Sequence, residues 1–164
     1  MKTLVVGLGN PILTDDGVGV KVAYEVEKAI AAAPVENAGV GDIDVIEACA
    51  GGLRLMELMI GYDRSVLIDA FTAANGHEPG TIHRLSFDDL RDISPTQHSS
   101  CAHDTSLVTA LEMGRTLDLK LPTIISIYGI EVENILDFGD EPTPAVAAAI
   151  PDAAAAVLSE LRHD

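Results

Sequence analysis

Apolar positions along this chain alternate between two spacings, and the switches divide it into strands and helices. Leu4, Val5 and Val6 open it as an unbroken apolar run, the mark of a strand buried on both faces. Gly7, Gly9 and Pro11 force an exit and mean a tight turn. Val18, Val22, Val26 and Ile30 then set the i, i+4 stripe of a helix packed on a sheet, ending near Ala33 and Pro34. The pattern repeats. Residues 43–48 predict a second strand and, after Gly51 and Gly52, residues 53–60 a short helix. Residues 65–70 predict a third strand that ends in Asp69 and Ala70, followed by a polar loop over 73–80.

The second half is less regular. Residues 81–85 predict a weaker fourth strand whose short connections suit an antiparallel edge. Ser86 caps a brief helix through Arg91, with Asp88 and Asp89 at its positive end. Residues 92–102 read as loop, and Leu107, Ala110, Leu111, Gly114 and Leu117 restore a helical period. Residues 123–130 predict a last buried strand. Thr143 and Pro144 then open a helix whose core face is Val146, Ile150, Val157, Leu158 and Leu161. Pro151 falls inside that face, where a proline costs about 3 kcal/mol, so a kink or break is expected.

Five strands and about five helices in alternation predict an α/β fold: a single three-layer domain over residues 1–164, phosphorylase/hydrolase-like, with a mostly parallel five-stranded sheet and helices on both faces. In such sheets ligands bind outside the carboxyl ends of the strands. The loops after Val6, Ala48 and Asp69 therefore share one edge.

Composition narrows the partners. The 164 residues carry 26 acidic and 10 basic side chains, a net charge of −16, which repels phosphate backbones and anionic membranes. Neither nucleic acid nor a membrane is expected as a partner, and no apolar run approaches the roughly 18–20 residues that span a bilayer. The N-terminus lacks the pattern of a secretory leader, and two cysteines, Cys49 and Cys101, are too few for a disulfide framework. A soluble, cytoplasmic chain with free thiols is expected.

The glycine loop is not a nucleotide site. A dinucleotide fingerprint needs a third glycine where Ile12 stands, and no Gly-x4-Gly-Lys-Ser/Thr loop occurs. Asp15 and Asp16 at the helix start would also repel a phosphate; on their own they suit the positive helix end, worth about 0.3–1 kcal/mol each. Asp69 is different, because a carboxylate closing a buried strand is costly to desolvate unless it is paired or coordinated. With His103 at the threshold of the next helix, carboxylates and one imidazole from three loops make an oxygen-rich site for an exchangeable divalent metal. No His-Glu-x-x-His or Cys-x-x-Cys pattern supports a tightly held ion. Cys101 beside His103 is a rival nucleophile; Ser99, Ser100 and Ser106 lack the elbow of serine hydrolases, and His77, His83 and His98 have no evident partner.

These residues resemble a known family. Gly7 to Asn10 running into Asp15, Asp16, Gly17 and Gly19, then Val66 to Ala70, then His103 to Leu107, are similar to the three motifs of the hydrogenase maturation proteases. Gly129 to Glu131 and Pro142 to Val146 resemble that family's last strand and last helix. The resemblance implies an endopeptidase that removes a C-terminal extension from the large-subunit precursor of a nickel-iron hydrogenase, acting as a monomer. It implies Asp16, Asp69 and His103 as both metal ligands and catalytic residues, the metal being nickel brought by the precursor, with no nucleotide cofactor. His98 is the competitor for the third position, but only the residues after His103 fit the motif. Val132, Glu133 and Asn134 replace a proline-containing turn common in the family. Two other readings stand beside it. Peptidyl-tRNA hydrolases also start with a strand and Gly-Leu-Gly-Asn-Pro, although the early histidine they require is missing here. A non-catalytic metal chaperone would use the same three ligands without cleaving anything.

Overall fold

The computed structural model describes residues 1–33, 42–72, 77–92 and 106–163. Five strands form one sheet: β1 (Thr3–Leu8), β2 (Ile43–Ala48), β3 (Arg64–Phe71), β4 (Ile82–Ser86) and β5 (Ile124–Glu131). The helices are α1 (Val18–Ala32), α2 (Gly52–Leu58), α3 (Phe87–Asp92), α4 (Leu107–Thr116) and α5 (Pro144–His163), with a 3-10 turn at Thr14–Gly17 before α1. Strand order is β2-β1-β3-β5-β4. The first four strands in that order are mutually parallel, and β4 runs antiparallel along β5, as its short connections predict.

Alternation within β1 shows why an unbroken apolar run is needed there. Val5 belongs to one buried cluster with Val18, Val22, Ala23 and Val26 of α1 and Val146, Ala153 and Val157 of α5. Leu4, Val6 and Leu8 face the other way, onto Leu55 and Met56 of α2 and Ala110 and Leu111 of α4. The sheet is thus the middle of three layers. α1 carries the chain over one face to β2, and α2 returns it over the other face to β3, on the far side of β1. Neighbouring β1 and β3 are therefore fed by crossovers that leave in opposite directions, and their carboxyl ends form the switch point where such sheets bind ligands.

Local capping follows the sequence. Ser86 and Asp89 cap α3 reciprocally: the Asp89 carboxylate accepts from the Ser86 N–H at 2.6 Å and the Ser86 hydroxyl accepts from the Asp89 N–H at 3.3 Å. Ser106 accepts from the Thr109 N–H at 3.2 Å to start α4. Two expectations change. α5 is a single helix through Pro151, which is exposed, so the break does not occur; buried Ala149, Ala153, Ala154 and Val157 hold the turns on either side of it against the core. The same helix, over Pro144–Arg162, is long and apolar enough to cross a bilayer by length and composition, contrary to the expectation that no run would be. Here that apolarity packs onto the sheet.

Candidate active site at the carboxyl edge of the sheet

The loop after β1 is built around close approaches. A Cβ on Gly7 would lie 2.6 Å from the Gly19 carbonyl oxygen, and one on Gly19 would lie 2.3 Å from the carbonyl oxygen of Ile68 and 2.4 Å from that of Leu8. Any side chain at either position would lift the start of α1 off the ends of β1 and β3. Gly9 adopts φ +121°, and its Cβ would collide with the Asp16 carbonyl at 1.8 Å. The tight-turn reading holds for Gly9 alone; Gly7 and Gly19 serve helix–strand contact. The result is that the turn carrying Asp15 and Asp16 is pressed against the switch point.

The two aspartates then part company. Asp15 is fully buried, and its carboxylate accepts from the N–H groups of Glu133 (3.2 Å), Asn134 (3.0 Å) and Thr143 (2.6 Å) and from the Thr143 hydroxyl (3.0 Å). It pins the β5–α5 connection to the β1 loop. Thr14 helps. Its backbone takes φ 40°, costly for a β-branched residue, while its N–H donates to the Gly139 carbonyl at 2.8 Å and its hydroxyl to the Asp137 carbonyl at 2.6 Å. Asp16 is half-buried and takes the Asn10 N–H at 2.7 Å.

Asp69, near the end of β3, is the other carboxylate at this edge. Burial pushes its carboxyl up to about 7, and the negative charge of Asp16 pushes in the same direction, with partial relief from the Ala70 N–H. The charge on the turn before α1 is therefore felt by the carboxyl near the end of β3, across the switch point. Neither Asp16 nor Asp69 has an Arg or Lys partner among the described residues. His103, together with its competitors His98 and Cys101, lies outside the described residues. Cys49 is an exposed free thiol.

One cluster was missed in the sequence. His83 of β4 meets Glu131 of β5, Nε2 to Oε1 3.0 Å, and the His77 ring lies 4.9 Å from the His83 ring. The signal was available only through register, since His83 pairs with Gly129 and Glu131 stands two residues further along β5.

The comparisons with known proteins decide the family. Residues 20–160 match the family model described as hydrogenase maturation protease. The chain belongs to the hydrogenase maturation protease family. Over 167 residues, covering 99% of this chain and 92% of the relative, it is 25% identical to the hydrogenase 2 maturation protease of Escherichia coli. It is 24% identical over 161 residues to the hydrogenase expression/formation protein HupD of Rhizobium leguminosarum, covering 98% of this chain and 74% of that one. Among solved structures, the hydrogenase maturating endopeptidase HybD of Escherichia coli shares the fold, with TM-score 0.78 over 99% of this chain and 93% of that one at 24% identity. The [NiFe] hydrogenase maturation protease HybD of Thermococcus kodakarensis superposes with TM-score 0.69 over 99% of both chains at 25% identity. This protease thus carries its Asp16–Asp69 pair on the fold of the family, and the assignment decides against the peptidyl-tRNA hydrolase reading.

Proposed function

We propose that this chain removes the C-terminal extension of a nickel-iron hydrogenase large-subunit precursor, and that Asp16, Asp69 and His103 read the nickel carried by that precursor. The observation that carries the reading is the mutual charge of Asp16 and Asp69 at the switch point, with Asp69 pushed up to about 7. A divalent cation arriving with the substrate relieves that repulsion, so the pair favours a loaded precursor over an empty one. Oxygen donors with one imidazole suit an ion held transiently. His103 enters through its motif, His103 to Leu107, which leads into α4.

The surroundings suit a protein substrate. Ile12 beside the site and Leu136 and Phe138 on the β5–α5 connection are exposed, the last two more than four-fifths, and the Gly139 N–H to Ile12 carbonyl bond of 3.0 Å ties the two loops together. Such a rim of apolar side chains fits a polypeptide better than a small polar molecule. Net charge −16 favours a cationic cargo and disfavours nucleic acid. We place the reaction in the cytoplasm, with the protease acting as a monomer.

For the chemistry, a bound divalent ion would polarise the scissile carbonyl. The chain's own part is proton transfer: the carboxylate of Asp69 or of Asp16 would take a proton from an attacking water and return one to the leaving amine. Asp16 is held at the same rim by the Asn10 N–H.

Purified protein incubated with nickel-loaded and nickel-free precursor tests the reading through the mass of the large subunit. The wild type should trim only the loaded form, and Asp16→Asn, Asp69→Asn and His103→Ala should each slow trimming at least 100-fold while keeping the wild-type far-UV circular dichroism. Normal trimming by all three variants would overturn the site. Metal uptake without cleavage would leave the chaperone reading instead.

A further inference from the structure

The β4–β5 edge carries a second constellation of donors. We infer that His77, His83 and Glu131 form a binding site for a divalent transition-metal ion of the zinc and nickel class, separate from the Asp16–Asp69 pair. One ligand atom from each residue lies within 4.8 Å of the other two, and the closest pair, His83 Nε2 and Glu131 Oε1, is 3.0 Å apart. A tetrahedral ion with Zn–N and Zn–O bonds of about 2.0–2.2 Å places its ligand atoms about 3.3 Å apart. His83 and Glu131 therefore already stand within a few tenths of an ångström of that spacing, and an inward swing of the His77 ring would bring in the third donor. That ring is exposed and already edge-on to His83 at 4.9 Å, so the movement meets no core packing.

The backbone under the three donors is fixed. The Glu131 N–H donates to the Thr81 carbonyl at 2.9 Å and its own carbonyl accepts from the Gly80 N–H at 2.8 Å, which ties the 78–81 turn to the end of β5. The turn is closed on itself by the Thr81 hydroxyl donating to the Glu78 carbonyl at 2.6 Å. Gly80, at φ +86°, lies so close to α5 that a Cβ would stand 2.6 Å from the Ala145 carbonyl oxygen. His77 is therefore delivered by a turn seated on both the sheet and the last helix. Glu131 is the buried member, its side chain 4% exposed, and an ionised carboxylate so placed gains from a cation as well as from a hydrogen bond. Two imidazoles with one carboxylate are a donor set for a borderline ion, with a fourth position left for water.

The site is a neighbour of the first and distinct from it. Asp69, Gly129 and His83 stand in one row across β3, β5 and β4, so Asp69 and His83 share a face of the sheet with their backbones about 10 Å apart. Gly129 has no side chain, and Phe71 fills the gap, with its Cβ 3.1 Å from where a Gly129 Cβ would lie and its ring 5.5 Å from that of His83. An ion here would clip the 78–81 turn to the strand that lies between the two sites.

The test uses the full chain carrying Asp16→Asn and Asp69→Asn, so that the first site is disabled, titrated with Co2+ and followed by visible absorption. The expected result is one ion per chain with the intense bands of a tetrahedral nitrogen–oxygen site, and Zn2+ displacing it. Adding His77→Ala to that background should weaken binding at least tenfold. His77 is exposed, and an unchanged melting curve without metal would show that the fold is kept. Glu131→Gln and His83→Gln should weaken it further. Absence of binding in the Asp16→Asn, Asp69→Asn chain, or binding that His77→Ala leaves unchanged, would overturn the proposal. Because the readout is metal uptake without precursor, failure here would leave the proposed protease site standing, and failure of that site would leave this one standing.

Discussion

The two ends of β3 treat a buried carboxylate in opposite ways. At the amino end, Arg64 begins the strand and reaches Glu160 of α5 at 2.7 Å, while Arg84 and the Tyr128 hydroxyl contact the same carboxylate, each at 2.7 Å. Burial pushes the Glu160 carboxyl up, yet hydrogen bonds from Arg84, Ser126, Tyr128 and Arg64 outweigh it and hold the group down at about 2. At the carboxyl end, Asp69 has burial and the Asp16 charge both acting upward, and it rests at about 7. One end is satisfied by the chain itself, whereas the other keeps a charge conflict that no described side chain relieves. A fold whose helices close over both faces of a sheet leaves the strand ends free for this division, with stability at one rim and the proposed chemistry at the other.

Arg64→Met breaks the satisfied end and should have the largest effect on stability. Removing one partner leaves the Glu160 carboxylate buried with fewer donors, a change that costs about 3–5 kcal/mol. Urea denaturation at pH 7 should show a loss of this size, with trimming of precursor per folded molecule unchanged. A comparable fall in trimming per folded molecule would mean that the two ends are coupled and the division is wrong.

Asp15→Asn probes the boundary, since Asp15 lies at the carboxyl rim of the sheet but is satisfied like Glu160. Its carboxylate accepts four hydrogen bonds from the β5–α5 connection, and an amide there presents donors to donors. A loss of about 2–4 kcal/mol in the same urea experiment is expected, because charged hydrogen bonds are the strong ones. Asp16→Asn, by contrast, should leave the midpoint within about 1 kcal/mol, as it loses one accepted bond and relieves Asp69. Equal losses in the two variants would erase the distinction between neighbouring aspartates.

That distinction also marks how far the sequence could be read. Periodicity located β2 to β5 to within a residue at each end, whereas β1 continues through the expected exit at Gly7, to Leu8; β3 and β5 are buried on both faces, and β2 and β4 are bounded by glycine, proline or polar turns. It could not separate Asp15 from Asp16. Both precede the same helix, and only the hydrogen bonds from Asn134 and Thr143, more than a hundred residues away, make one structural; the motif resemblance pointed to Asp16 without supplying that reason. Gly7 was legible as a breaker but not as a contact point, since the helix it admits, through Gly19, arrives after a turn whose path the pattern does not describe. His77, His83 and Glu131 were invisible for the same physical cause: they meet through antiparallel pairing of β4 with β5, and spacing along the chain carries no trace of register between strands 40 residues apart or more.

The last expected effect, a gain rather than a loss, tests the conflicted end directly through pH. Asp69 is held at about 7 in the folded chain against 3.8 ordinarily, so the folded state binds its proton more tightly than the unfolded state does. Below about pH 4 both states are protonated and the group costs nothing; between about pH 4 and 7 the unfolded state releases its proton first, and stability falls as pH rises; above 7 the full cost remains. Asp69→Asn removes the titration and should therefore be more stable than the wild type by about 1–3 kcal/mol at pH 8, with the difference shrinking toward zero at pH 4. Urea midpoints of the two proteins at both pH values measure it. Glu160 has the opposite sign, its depressed carboxyl contributing stability above about pH 4.5 that is lost as pH falls toward 2, so the wild type should weaken again at the acid extreme whatever stands at position 69. A difference between Asp69→Asn and wild type that does not change from pH 4 to pH 8 would show that Asp69 is not in conflict with its surroundings, and the contrast between the ends of β3 would lose its basis.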